Sequence, residues 1–280
     1  MELKLREVIN AIFYINYTGC QWRALPGDFP NWNSAYYHFC KWTKDGAWRA
    51  INVALCKLER KRRGHDPQPT GAVVDTQGVE TTALAQERGF DGYKRIKGHK
   101  RHILTHTVGN VLDVVVQTAD VADCKGAPSL IEKVAEIFPK IEKIWADGAH
   151  WTLAKIAFSG QFQPILADFA LLAAFTTPAY WGASQFKPRY GGRVKMAKVQ
   201  AYQGDLIELV KKALDAVLEI VERESEKGFQ VLPKRWVVER TFGWFEWYRR
   251  LSKDYERLLE CSESMIYIAS SRLMLKRITA

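Results

Sequence analysis

Closely spaced cysteines are missing from this sequence. Its five cysteines are scattered over 280 residues, at Cys20, Cys40, Cys56, Cys124 and Cys261. Structural zinc sites and disulfide-stapled domains are recognised by cysteines that recur at short, regular spacings. The spacing therefore indicates neither class, and we expect ordinary reduced thiols.

Long hydrophobic runs are also missing. The longest apolar stretch, residues 165–183, is interrupted by Asp168, Thr176, Thr177 and Pro178. It falls short of the ~20 clean apolar residues that a membrane-spanning helix needs. The N-terminal sequence MELKLREVIN lacks the basic start and apolar core of a signal peptide. We therefore predict no membrane segment and a cytoplasmic location.

Acidic residues are scarce relative to basic ones. The chain has 31 Asp and Glu against 41 Lys and Arg, a formal net charge of +10, which favours a polyanionic partner. The segment GYKRIKGHKRH concentrates basic side chains that are candidate phosphate contacts, namely Lys94, Arg95, Lys97, Lys100 and Arg101. The alternative interpretation is a solvated hairpin with a basic face.

Hydrophobic periodicity divides the chain into a helical region, residues 1–62, and a strand-rich region that begins at residue 71. Residues 63–70, which contain charges, glycine and two prolines, are predicted to be a linker. The strands GAVVDTQGVETT, HKRHILTHTVG and NVLDVVVQTAD follow, and a tight turn at Gly109 and Asn110 joins the last two. A helix over residues 126–138 and the short strand IEKIWADGA complete the order βββαβ.

The helix before the fourth strand is a crossover connection, so the fourth strand can lie parallel to the first. Asp75 and Asp147, near the ends of those two strands, would then be neighbours. Two adjacent carboxylates are costly to ionise without a cation, and hard oxygen ligands suit Mg²⁺ or Mn²⁺. Either aspartate alone could be a strand-end cap, but the topology favours a metal site.

A third carboxylate is predicted on a helix near the C-terminus, in LPKRWVVERTFGWFEWYRRLSKDYE. Val238, Phe242 and Phe245 have the spacing of a buried stripe on this helix. Glu239 and Glu246 lie on its other face among arginines. On spacing alone both acids remain candidates, because either could form a surface ion pair.

The segments VVDTQ, KGHKRHILTHTVG, IWADGA, KGFQVLPKRWVVERTF and RRLSKDYE, with GCQWRALPGDFPNW upstream, strongly resemble DDE transposases of bacterial insertion sequences, the insertion sequence five group. The resemblance covers nearly all of the chain outside one central block. It implies an α/β fold, in which a ribonuclease-H-like catalytic domain with a mixed sheet, βββαβ then helices, follows the helical N-terminal region. It also implies a catalytic and metal-binding triad of Asp75, Asp147 and Glu239, and so selects Glu239 over Glu246.

The resemblance further implies that two Mg²⁺ or Mn²⁺ ions support cleavage of transposon ends and strand transfer into target DNA. The implied partners are double-stranded DNA, both terminal inverted repeats and target, and a second copy of the chain in a homodimer. A nucleoid-associated location in a bacterium follows. Residues 1–62 are predicted to bind the transposon end, with Arg6, Trp22, Arg23 and Lys41 as contacts, and further candidate DNA contacts are Arg235, Arg240 and Arg250.

Two features depart from the family pattern. Family members usually extend further upstream of the segment that matches residues 5–13, and residues 151–203 have no counterpart in them. We predict that residues 151–203 are an insertion of unknown fold in a catalytic domain formed by residues 71–150 and 204–280. These departures motivate one alternative, a catalytically inactive DNA-binding protein derived from a transposase. A related metal nuclease of the same fold, which cuts without joining, is the other.

Overall fold

A computed structural model of the protein describes residues 4–92, 94–147, 201–221 and 234–280. The N-terminal region is helical, as the periodicity predicts. It contains α1 (Leu5–Thr18), a single 3-10 turn (Trp22–Ala24), α2 (Trp32–Lys44) and α3 (Ala47–Arg62). Helix α1 ends at Gly19, where a φ of 70° lets the glycine N–H bond to the carbonyl of Ile15. Residues 63–70, between α3 and the first strand, contain no helix or strand.

The described part of the chain contains six strands in one mixed sheet. They are β1 (Gly71–Glu80), β2 (Gly89–Asp91), β3 (Ile96–His106), β4 (Val111–Thr118), β5 (Lys143–Asp147) and β6 (Val217–Val221). The sheet runs β2, β3, β1, β5, β6, and β4 pairs with the same edge of β3 as β2 does, further along the strand. The predicted turn at Gly109 and Asn110 joins β3 to β4.

The pairing of the strands confirms the predicted crossover. Strand β1 is antiparallel to β3 and parallel to β5, and β5 is in turn parallel to β6. The predicted order contains neither β2 nor β6. Strand β2 has only three residues, too few for an alternating pattern, and β6 is a short apolar run, which periodicity alone cannot separate from a helix. The expectation of helices alone after β5 is therefore wrong at Val217–Val221.

Five further helices complete the described elements, and they lie on the two faces of the sheet. They are α4 (Asp123–Ala135), α5 (Ala201–Leu214), α6 (Arg235–Glu246), α7 (Arg249–Ser252) and α8 (Leu259–Thr279). The predicted bounds of α4, 126–138, are three residues too late. The predicted insertion lies outside the described residues except for residues 201–203, which begin α5.

Two hydrophobic cores fill the two faces. One lies between the sheet and helices α4 and α5, and it includes Val74, Ile144, Leu130, Ile131 and Val210. The other lies under α6, the N-terminal helices and α8, and it includes Val73, Ile103, Val238, Ile12 and Ile268. The N-terminal helices thus share a core with the strand that carries Asp75. Within the described ranges no helix is long and apolar enough to cross a bilayer.

Candidate active site

Asp75 lies where β1 changes its neighbours. The parallel pairing of β1 with β5 ends at Val74 and Ala146, whereas the pairing with β3 continues past Asp75 to Glu80. Asp75 is therefore in the middle of a strand, and only the ladder to β5 ends beside it. Its half-buried carboxylate accepts a hydrogen bond of 2.7 Å from the backbone N–H of Thr76.

Asp147 is the last residue of β5 and pairs with Val221 of β6. Positions 75 and 147 each follow the last registered pair of the two parallel strands, so they are level with one another. Parallel neighbours lie about 4.8 Å apart. The register thus brings the two backbone positions together as the sequence predicted.

Both positions fall on the face of the sheet that α6 covers. Alternation along β1 assigns Asp75 to the face of Val73, and alternation along β5 assigns position 147 to the face of Trp145. Val73 and Trp145 pack in the same core as Val238 and Phe242 of α6. Because α6 contacts β1, β3 and β5, it crosses the sheet over the strands that carry the aspartates.

Glu239 lies on the solvent side of α6. The predicted stripe is confirmed, since Val238, Phe242 and Phe245 are buried, whereas Glu239 and Glu246 are exposed. The structure brings the helix of Glu239 to the aspartates, but it does not place the glutamate between helix and sheet. Within the part of the chain that the structure describes, no three Asp, Glu, His or Cys side chains form a cluster that could hold a metal.

The β3–β4 turn fixes the position of α6. The hydroxyl of Thr241 donates to the carbonyl of Gly109 at 2.8 Å, and Arg240 donates to the carbonyl of Val108 at 2.7 Å. Gly109 has a φ of 96°, and a Cβ at this position would lie 3.0 Å from the Thr241 hydroxyl. A glycine at 109 therefore serves both the turn and the close approach of the helix.

The basic run at the start of β3 divides into exposed and buried residues. Arg95 and Lys97 are exposed and Lys94 is half-buried. In contrast, Lys100 is buried, and its ammonium lies 3.2 Å from the carboxylate of Asp91 and donates to the carbonyl of Val121 at 2.9 Å. Such contacts give Lys100 a role in the fold, and its predicted phosphate contact stays a prediction, as do those of the more accessible Lys94, Arg95 and Lys97.

Arg101 is 1% exposed, and it lies on the Asp75 face of the sheet opposite Gln77. Its guanidinium donates to the carbonyl of Leu251 at 2.8 Å, and so joins β3 to α7. Burial lowers its pKa, partly offset by the charge of Asp254. The geometry makes Arg101 part of the wall beside Asp75, and its predicted phosphate contact stays a prediction.

A buried pair formed by His99 and Asp254 extends this wall. His99 Nδ1 lies 2.9 Å from the carboxylate of Asp254, and its Nε2 lies 2.6 Å from the carbonyl of Glu87. Two acceptors favour an imidazolium that donates from both nitrogens. Burial opposes this charge, but the two hydrogen bonds outweigh it and raise the pKa of His99.

Sequence reasoning missed a stack of arginines and tryptophans on α6. The Arg240 guanidinium lies 4.6 Å from the ring centroids of both Trp236 and Trp244, and Arg277 of α8 covers Trp244 at 4.3 Å. Trp236 is exposed. The spacing of 236, 240 and 244, one helical turn apart, was the available signal. Cationic and aromatic side chains together are typical of protein surfaces that bind nucleic acid.

The other predicted arginines are placed differently. Arg250 is buried, with its Nε 2.7 Å from the carboxylate of Glu256, so its contacts hold α7 against the segment that follows it. Arg235 is the first residue of α6, after Lys234, which has a φ of 64°. The predicted contacts Arg6 and Lys41 are exposed on α1 and α2.

Comparison with known protein families assigns the chain to one group. Residues 2–52 match the family model described as transposases of the IS4/5 family, and residues 66–274 match the model of the transposase DDE domain. No curated protein and no solved structure matches the chain. The second match contains the strands β1 to β6 and helix α6, and it covers more than half of the 280 residues. The chain therefore belongs to the DDE transposase family, of the IS4/IS5 type.

Proposed function

We propose that this transposase cleaves transposon ends and joins them to target DNA, with Asp75, Asp147 and Glu239 as the ligands of two Mg²⁺ or Mn²⁺ ions. The observation that carries the proposal is the parallel register of β1 and β5, which puts positions 75 and 147 level on the face under α6. The mixed sheet and its crossover support a ribonuclease-H-like fold for the domain formed by residues 71–150 and 204–280.

The donor set fits hard divalent cations. DDE domains use divalent metal ions in general, and carboxylates are the ligands that Mg²⁺ and Mn²⁺ prefer. Asp75 is half-buried, and its strand is paired on both sides up to residue 74. The backbone position of Asp75 is therefore fixed. Glu239 is on an exposed turn of a helix that already crosses β1 and β5.

Each residue has a defined task. When bound, the two ions activate a water or a DNA 3′-hydroxyl and neutralise charge at the phosphorus. Asp75, Asp147 and Glu239 would hold these ions through their carboxylate oxygens. The buried network of Arg101, His99 and Asp254 keeps β3 and α7 fixed beside Asp75, since catalysis tolerates little misplacement.

DNA would lie across the face of α6. Arg240, stacked between Trp236 and Trp244, presents a positive charge next to Glu239. Lys94 and Arg95 precede β3 and Lys97 is its second residue, and their accessible side chains suit sequence-independent phosphate contacts. The helical residues 1–62 would bind the transposon end, and two copies of the chain would hold the paired ends.

The test is a nicking and joining assay with the purified full-length chain on a DNA fragment that carries the sequences flanking its own coding region. We expect Mg²⁺-dependent cleavage and joining by the unmodified protein. Asp75→Asn, Asp147→Asn and Glu239→Gln should each reduce the rate by about 10³-fold or more, with DNA binding in Ca²⁺ retained. Glu246→Gln is the matched control, because Glu246 is an exposed acid on the same helix.

The outcome for the glutamates decides between the candidates. Loss of activity in Glu246→Gln together with full activity in Glu239→Gln would overturn the assignment of the third ligand. Unchanged nicking by Asp75→Asn would overturn the whole site. Cleavage without joining would identify a nuclease of the same fold.

A catalytically inactive DNA-binding protein is the second candidate. The exposed position of Glu239 on α6 favours it. DNA binding by the unmodified protein without cleavage in either Mg²⁺ or Mn²⁺ would establish it.

A further inference from the structure

A cleft of about 660 Å³ lies between the N-terminal helical region and the segment that joins α7 to α8. Five aromatic rings line it, those of Trp22, Trp32, Tyr36, Phe39 and Tyr255. Tyr36 is 43% exposed and Tyr255 is 40% exposed. The cleft therefore offers aromatic surface to solvent from both of the elements that form it.

The inner rings of the cleft are anchored in the protein core. Trp22 packs against Tyr36 at 5.1 Å and against Phe39 at 5.2 Å between ring centroids, and Phe39 is buried. A hydrogen bond with Cys40 and partial burial raise the pKa of Tyr36 to about 12, so its ring stays uncharged at neutral pH. Tyr36 is thus a fixed and neutral platform, which can lie close to an anion.

The charged groups of the cleft leave a positive excess. Arg250 is neutralised by Glu256 at 2.7 Å. Arg23 lies over Trp32 at 5.4 Å, and Arg257 is exposed on the opposite wall. Within the described ranges neither Arg23 nor Arg257 is in an ion pair. Both guanidinium groups can therefore receive a phosphate.

Two exposed amides complete the cleft, Gln21 beside Trp22 and Gln86 on the opposite wall. The backbone N–H of Gln86 donates to the carbonyl of Arg257 at 2.9 Å, which holds this wall in place. A primary amide carries both a donor and an acceptor, as the edge of a nucleobase does. The cleft thus combines stacking surfaces, base-edge partners and phosphate partners.

We propose that this cleft binds an unpaired nucleotide of the DNA substrate, with its base stacked on Tyr36 and Tyr255 and its phosphates on Arg23 and Arg257. Bases in a duplex expose only their edges in the grooves, whereas an unpaired base offers its flat face to an aromatic ring. A concave site of this size admits a nucleotide and excludes a duplex. The inference rests on the DNA-binding part of the proposed function, but it does not require catalysis.

The experiment compares two labelled DNAs by fluorescence anisotropy with the full-length chain. One is a blunt duplex of about 20 base pairs, and the other is the same duplex with a single-stranded tail of about six nucleotides. We expect the tailed DNA to bind about tenfold more tightly. Tyr36→Ala and Tyr255→Ala should each remove most of that preference and leave affinity for the blunt duplex unchanged.

Two further variants separate stacking from folding. Tyr36→Phe keeps the ring and should retain the preference for the tail. Tyr37→Ala removes a neighbouring ring that is 63% exposed but lies outside the cleft, and it should behave as the unmodified protein does.

Arg23→Ala and Arg257→Ala test the phosphate contacts, and they should weaken binding of the tailed DNA by a few-fold each.

The outcomes are distinct. Equal affinity for blunt and tailed DNA, or a preference that persists in both Tyr36→Ala and Tyr255→Ala, would overturn the cleft while the proposed function stands. Failure to bind either DNA would overturn both. Cleavage lost in Asp75→Asn with the tail preference intact would show that the cleft acts independently of the metal site.

Discussion

Arg101 of β3 lies in a different environment from Arg240 of α6 and Arg277 of α8. Arg101 is buried, and its guanidinium donates a hydrogen bond to the carbonyl of Leu251. Arg240 and Arg277 lie instead against the ring of Trp244, 4.6 and 4.3 Å from its centroid, at a partly exposed surface. The buried part of the basic run, Lys100 and Arg101, thus has internal contacts, while single arginines spaced along two helices form a partly exposed cationic surface.

The cause of the difference is the place of each element in the sheet. Strand β3 is central, with β1 on one edge and β2 and β4 on the other. Side chains from its middle must therefore lie under α6 or α4, whatever their charge. Helix α6 packs against the sheet with one side, so the residues on its other side, such as Trp236, Glu239 and Glu246, stay exposed.

Replacement of Arg101 should have the largest effect on stability. Arg101→Ala leaves a cavity, an unpaired Leu251 carbonyl and an Asp254 carboxylate that has lost a positive neighbour. We expect the free energy of unfolding in urea to fall by about 3 kcal/mol. Lys97→Ala, on the same strand but exposed, is the control and should change it by less than about 0.5 kcal/mol. Equal effects of the two substitutions would contradict the division of β3 into buried and exposed parts.

Two buried histidines of β3 should limit stability in opposite pH ranges. Burial, reinforced by Arg60, Arg63 and Arg277, lowers the pKa of His106 to about 3, and the His106 Nδ1 accepts a hydrogen bond of 3.0 Å from the N–H of Val108. Below about pH 6.5 the His106 imidazole takes up a proton in the unfolded chain but not in the folded protein. The free energy of unfolding therefore falls as pH drops through this range, by up to about 1.4 kcal/mol per pH unit.

His99 acts in the other direction, because its pKa is raised. Its contribution is fully present below the unfolded pKa of about 6.5 and is lost as pH rises through the folded pKa. Urea unfolding across this range should therefore show a shallower acid limb in His106→Gln and a shallower alkaline limb in His99→Gln. The same pH profile in both variants and the unmodified protein would show that neither residue has a shifted pKa.

The stack on α6 should affect DNA binding more than folding. Arg240→Ala and Trp236→Ala each remove part of a partly exposed cationic and aromatic surface. We expect affinity for duplex DNA to fall about tenfold for each, and stability to change by about 1 kcal/mol or less. Lys140→Ala, a surface lysine next to the core of the α4 face, removes one charge and should leave affinity nearly unchanged. If Lys140→Ala weakens binding as much as Arg240→Ala does, affinity for DNA depends on the net charge of the protein and not on the stack of α6.

Much of this architecture could be predicted from the sequence, because it depends on local patterns. The helices of the first 62 residues, strands β1, β3, β4 and β5, the turn at Gly109 and the buried stripe of α6 all follow from periodicity and turn residues. The parallel pairing of β1 with β5, and so the nearness of positions 75 and 147, follows from crossover geometry.

Long-range packing set the rest. Burial of Lys100 and Arg101 depends on β3 being central, and that order comes from pairings between distant segments. The cleft around Tyr36 forms only when residues near the N-terminus meet residues 255–258. The spacing of residues along α6 predicts that Glu239 lies opposite the buried stripe. It does not predict that the Glu239 side chain is exposed to solvent, because that depends on how the helix packs on the sheet.

The smallest expected effect lies within the basic run itself. A lysine that contacts a phosphate releases a counterion, and its loss should reduce the slope of log affinity against log salt by about 0.9. Lys97→Ala should show this change, because its side chain is exposed. Lys100→Ala should not, because its ammonium is held by Asp91 and Val121. Measurement of DNA affinity over a range of salt concentrations separates the two, provided that unfolding in urea shows both variants to be folded. A reduced slope in Lys100→Ala would mean that this lysine exchanges its internal partners for DNA, and β3 would then contribute to the cationic surface after all.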